Sequence, residues 1–183
     1  MTEAPKPVRR IVTIDDAGGK SVAIEDERVG DVRTDPARPG FVSTRIWVTA
    51  ATPVRIKHAR ETLALPHCME PPPRGSICRI VTFPPDAAFR RKVGGAEVAA
   101  FFRAMGSPAA STYSPKAPHP YMQKTRTLDF CLVLDGEITL VLDTEEVHLA
   151  AGDTVVQRGT NHAWSNRSGR PCTVAISSHD AAD

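Results

Sequence analysis

The chain has 183 residues, ample for one buried core. Its 16 prolines and sparse aromatics favour short strands and many turns over a helical bundle. The 23 Lys and Arg nearly balance the 21 Asp and Glu, and no basic run is interleaved with aromatics, which argues against a nucleic-acid groove. No apolar run approaches the ~20 residues that span a bilayer. The opening MTEAPKPVRR has no apolar stretch after its charges, so a cytoplasmic protein without a membrane partner is expected. Cys68, Cys78, Cys131 and Cys172 form no Cys-x-x-Cys pair and are read as reduced thiols.

Val8 to Asp15 and Ser21 to Glu25 read as two strands around the turn Ala17-Gly18-Gly19. Phe41 to Ala50 alternates as a long strand, and Ser76 to Phe83 is another, bounded by prolines on both sides. One helix is expected over Ala96 to Met105, where Val98, Phe101, Phe102 and Met105 form a single apolar stripe and Gly106 supplies the stop. The stretch from Gly106 to Pro120 reads as a surface loop or a flap. Short strands follow near Thr127–Leu134, Glu137–Leu142, Glu146–Leu149, Thr154–Gln157, Ala163–Ser165 and Cys172–Ser177. Asp135-Gly136, between two apolar runs, is the strongest hairpin signal in the chain. Closely spaced strands without intervening helices predict a mainly all-β sandwich or barrel.

The richest stretch runs from Gln123 to Asn166. It resembles the two motifs of the cupin superfamily, G-x5-H-x-H-x3-E-x6-G and G-x5-P-x-G-x2-H-x3-N. The first falls on Gln123, Thr125, Asp129 and Gly136, with both histidines replaced, the acid one carbon shorter and Ala117 at the opening glycine. The second falls on Gly152, Gly159, His162 and Asn166, with Gln157 in place of proline and one residue fewer after Gly152. The resemblance implies a jelly-roll β-barrel as one structural domain. Residues 1–90 would be a β extension packed on it, 91–120 a helix and loop, and 121–183 the barrel core.

Strand alternation puts Gln123, Thr125, Thr127, Asp129, Cys131 and Val133 on one face, which the resemblance makes the lumen. Lys124, Arg126, Leu128, Phe130, Leu132 and Leu134 take the other, suited to a second sheet or to a homodimer partner. His162 and Trp164 would enter the same lumen from the second motif.

The family's metal site offers three imidazoles and a carboxylate, suited to iron, manganese, nickel or zinc. Here Gln123, Thr125, Asp129 and His162 take those places, so a barrel without its metal is expected. Any metal would rest on His162, Asp129, Gln123 and, if the chain bends at Pro118 and Pro120, His119. The surviving acid and imidazole point to metal-independent acid–base chemistry on a small molecule: isomerisation, dehydration, cyclisation or decarboxylation. His162 would be the base or acid and Asp129 its partner, with Gln123, Thr125, Thr127, Cys131, Trp164 and Arg158 around the substrate. Alternatives are a metal-dependent dioxygenase or lyase and a non-catalytic binding barrel; a satisfied buried polar cluster would look the same in sequence. Cys131 reads as core filler, since a neighbouring carboxylate blunts a thiol. His58 is placed on a solvated face, His179 in a polar tail, and His148 on a hairpin strand. His67 is weighed as a partner for Cys68.

Overall fold

A computed structural model describes residues 7–26, 28–56 and 63–182; His58 lies outside them. The strands are β1 (Arg10–Asp15), β2 (Ser21–Asp26), β3 (Val32–Thr34), β4 (Val42–Thr49), β5 (Ser76–Phe83), β6 (Thr127–Asp135), β7 (Glu137–Val141), β8 (Glu146–Ala150), β9 (Thr154–Arg158), β10 (Ala163–Ser165) and β11 (Cys172–Asp180), with one α-helix, α1 (Gly95–Ala104), between β5 and β6. All pairings are antiparallel, in sheets ordered β3-β4-β5-β11-β6-β9, β10-β7-β8 and β1-β2. The two larger sheets share one hydrophobic core, in which Phe83 of β5 meets Trp164 of β10 with ring centroids 6.0 Å apart. This is the mainly β, two-sheet sandwich expected from the strand pattern, and it is consistent with the jelly roll that the family resemblance implies.

Two expectations change in three dimensions. The N-terminal third supplies β3, β4 and β5 to the main sheet, and β11 pairs with β5 on one side and β6 on the other. Only the β1–β2 hairpin forms a separate sheet, with Ile11, Ile14, Val22 and Ile24 exposed. Asp135-Gly136, in turn, is no hairpin. Both edges of β6 are occupied, by β9 and β11, so the chain must leave the sheet and start β7 in the opposite one. Gly136 makes that crossing at φ 84°, where a Cβ would come 2.9 Å from the Pro171 carbonyl.

The helix buries its stripe of Val98, Phe101 and Phe102. Phe101 stacks edge-on against Phe41 and Tyr121, each at 5.3 Å, so α1 closes one end of the core. Gly106 ends it at φ 71°, with its Cα so close to the His67 carbonyl that any Cβ would clash.

Alternation along β6 holds. Thr127, Asp129, Cys131 and Val133 are buried, while Phe130, Leu132 and Leu134 are exposed. The second sheet therefore lies on the polar-lined face, and the outer apolar stripe is left uncovered, continued by Val156 of β9 opposite Phe130.

One buried arginine belongs to the framework. Arg45 of β4 is 1% exposed, pairs with Asp31, and donates to the carbonyls of Leu63, Leu65 and Pro66. Its ion pair and three carbonyl bonds lock the 63–66 segment onto the sheet.

Candidate functional site

His162 and Gln123 are joined by their backbones. Each N–H donates to the other's carbonyl, at 2.8 and 2.9 Å, so their side chains lie side by side. The His162 ring is oriented from behind. Its Nδ1 lies 2.9 Å from the Thr160 carbonyl and 3.0 Å from the Gln157 amide nitrogen. The carbonyl can only accept, which assigns the hydrogen to Nδ1 and the lone pair to Nε2 when the Gln157 amide gives its hydrogens to Thr160. The Gln157 amide donates to the same carbonyl at 3.1 Å and also reaches the Thr160 hydroxyl. Gln157, read in the sequence only as a lost proline, is thus a positioning residue for the imidazole. In front, the Gln123 amide nitrogen sits 3.2 Å from Nε2. Trp164 stands edge-on to the ring at 6.2 Å. Burial lowers the His162 pKa against the Thr160 bond and the field of Asp129, so the ring is neutral at pH 7.

Asp129 is buried in the same interior but does not hold His162. Among the described residues no ion pair joins them, and its Oδ1 has no hydrogen-bond partner. The expected direct couple is replaced by a through-space one. What Asp129 does face is Arg79 of β5, for which it is the leading counter-charge. Arg79 is 7% exposed and donates to Ser178 at 3.1 Å, but its Nε has no partner. Its signal was present in the sequence: in SICRIVTF, Ile77, Val81 and Phe83 share the parity of Arg79, and all four are buried.

Arg79 lines a cavity of about 50 Å3 together with Arg38, Ser43, Tyr121, Gln123 and Trp164, walled by Phe41, Phe83, Phe101 and other apolar side chains. Arg38 is held inside an aromatic cage, 3.5 Å from the centre of the Tyr121 ring and 4.0 and 4.2 Å from those of Phe41 and Phe101. Its Nε bonds Asp35 at 2.7 Å, Tyr121 donates to the same carboxylate at 2.8 Å, and its Nη2 has no partner. The loop carrying Arg38 and Asp35 has no period to betray it in sequence.

Other expected site residues lie elsewhere. Thr125 and Thr127 bond each other at 2.8 Å and, with Arg158, Lys124 and Arg126, line an outer cleft of about 500 Å3. Cys131 is buried, and burial together with Asp129 pushes its thiol up to about 12. His119 is engaged elsewhere: its Nε2 is 3.4 Å from Asp86, whose carboxylate also accepts from Ser165 and from the Asn166 N–H. His67 pairs with Asp31 at 3.1 Å, while Cys68 sits against Ser107. His148 is exposed beside Glu137. His179 lies within β11 rather than in a tail, edge-on to Phe130.

The donor set does not fit the three-imidazole, one-carboxylate cage. It offers one imidazole, its Nδ1 committed to Thr160, and one carboxylate beside an arginine. Among the described residues no three His, Cys, Asp or Glu side chains converge to hold a metal. Among the same residues no helix is long and apolar enough to cross a membrane.

Residues 111–178 match the family model for the Cupin domain. A 48-residue stretch is 58% identical to phomopsin biosynthesis cluster protein C' of Diaporthe leptostromiformis, covering 26% of this chain and 25% of that protein. A match to oryzines biosynthesis cluster protein J of Aspergillus oryzae is 46% identical over 50 residues, 27% of this chain and 28% of that one. The chain thus matches only about a quarter of these relatives' length. Cupin-domain-containing oxidoreductase virC of Hypocrea virens is 28% identical over 170 residues, 87% of this chain and 68% of that protein. Among solved structures, a putative ethanolamine utilization protein q from Salmonella typhimurium superposes with a TM-score of 0.46 at 11% identity, covering 97% of this chain and 100% of that one. Motif spacing, sheet architecture and the family match agree: residues 111–178 form a Cupin domain.

Proposed function

We propose that this protein is an enzyme performing proton-transfer chemistry, of isomerase or lyase type and independent of metal, on a small organic molecule in the jelly-roll interior. One observation carries the reading. The His162 imidazole is buried and neutral, with Nδ1 against the Thr160 carbonyl and Nε2 3.2 Å from the amide of Gln123, a residue that lines the cavity. His162 Nε2 would accept a proton from carbon or oxygen once substrate displaces that amide. The imidazolium so formed gains from the field of Asp129, and the Thr160 carbonyl keeps the ring from turning. Arg79 and Arg38 supply positive charge where an enolate or carboxylate would develop. Trp164 and the phenylalanines supply an apolar wall.

Incubation with a panel of enolisable oxo acids in deuterated water, followed by NMR, tests this. At least one acid should exchange its α-hydrogen, and His162→Gln should slow that exchange by about 10²–10⁴-fold with the fold intact. Exchange that survives His162→Gln sinks the proposal. A second reading, a redox reaction on the same ligand, draws support from virC and fogC of Aspergillus ruber, both named oxidoreductases and 28% identical to this chain over 170 and 169 residues. Product mass separates the two: isomerisation leaves it unchanged and dehydration or decarboxylation removes water or carbon dioxide, whereas oxidation removes two hydrogens or adds oxygen.

A further inference from the structure

The unpartnered polar atoms that belong to residues lining the cavity can all donate. Arg38 Nη2 and Arg79 Nε are donors, and the Ser43 hydroxyl, 1% exposed on β4, is the third. The carboxylates that balance the guanidiniums, Asp35 and Asp129, do not line the cavity. The cavity therefore presents unused donors and positive charge at its surface and keeps its acceptors behind. Buried polar groups are rarely left unpaired, and a charged donor is the costliest to leave so. One water accepts about two hydrogen bonds, so waters would have to share the three groups between them, and they bring no charge to meet the guanidiniums. A carboxylate offers about four lone-pair sites and matches the guanidinium fork.

We infer that this cavity is a binding site for a carboxylate, held by Arg79, Arg38 and Ser43, with the apolar wall receiving the carbon adjoining it. The inference deepens the enzymatic reading by naming the substrate class and rests on the same interior being the ligand site. A volume of about 50 Å3 admits the carboxylate and one or two carbons, not a whole drug-sized molecule. The acid is then either a small free one or the end of a longer molecule that enters carboxylate first. Bound there, it touches Gln123, whose amide links the cavity lining to His162 Nε2.

The test is calorimetric titration of the full chain with propionate and with its neutral counterpart propionamide. Wild type should bind propionate roughly tenfold or more tighter, and Arg79→Gln should abolish the difference. Ser43→Ala should reduce it several-fold. Should Arg79→Gln fail to fold, Asp129→Asn reads the same electrostatics with the opposite sign and should tighten propionate. Equal affinity for acid and amide, absence of binding at millimolar concentration, or an acid preference that persists in Arg79→Gln overturns the inference. A series from acetate to hexanoate separates the sources: affinity peaking at the short acids indicates a free small acid, and a continuing rise indicates the end of a longer one. Failure here is distinguishable from failure of the enzymatic reading. If propionate binds as expected but no oxo acid exchanges, the carboxylate site stands and proton transfer falls. If exchange depends on His162 while Arg79→Gln binds propionate like wild type, the reverse holds.

Discussion

Arg45 and Arg79 face each other across the β4–β5 ladder, both almost fully buried, yet they are treated in opposite ways. Arg45 has a carboxylate and three carbonyls around its guanidinium. Arg79 has one serine, an unpartnered Nε and a counter-charge acting through space. The difference separates a buried charge that holds the fold from one proposed to meet a ligand. Burial is the same in both; saturation is not.

Breaking the saturated side should cost most. Arg45→Met strands Asp31 and three carbonyls, and chemical denaturation should show about 3–5 kcal/mol lost. A loss under 1 kcal/mol would mean that saturation is no guide to structural role. Acid comes next. The imidazoles of His119 and His162 are both held below their ordinary 6.5, chiefly by burial. A lowered histidine contributes stability that is complete above 6.5 and lost as pH falls from there through its folded value. Each should steepen the decline by at most about 1.4 kcal/mol per pH unit, and each His→Gln should remove its share in melts between pH 7 and 5. The smallest effect is expected on the unsaturated side. Arg79→Met combined with Asp129→Asn removes both charges at once, and stability should stay within about 1 kcal/mol of wild type. A large loss would make Arg79 a second framework arginine.

The elements themselves were legible because each rests on a local period. The stripe Val98, Phe101, Phe102 and Met105 fixed the helix, and two-residue alternation separated Asp129 and Cys131 from Phe130 and Leu132. Pairing was not local. Asp135-Gly136 carries hairpin chemistry, but which strand meets β6 depends on β9 and β11, and the latter begins more than thirty residues later. The same limit governs the site. Motif spacing reached His162, Asp129 and Gln123, whereas Arg79 and Ser43 lie far upstream and share their interior only because β4, β5 and β11 are neighbours. The role of His119 hung on where a proline-flanked bend sends it, and Asp86 and Ser165 decide that from distant segments.

Gln123 bears on the kinetics. A carboxamide cannot hand on a proton without passing through a high-energy imidic form, so it serves as a shutter and not as a wire. Its backbone is tied to His162 from both directions, so the shutter opens by side-chain torsion alone. On the proposed acid–base function, the base would be masked in the empty protein and exposed as a ligand competes for the amide, which would tie the timing of deprotonation to occupancy. A smaller residue at this position would leave the imidazole permanently unmasked, open to water and without discrimination between an arriving ligand and none.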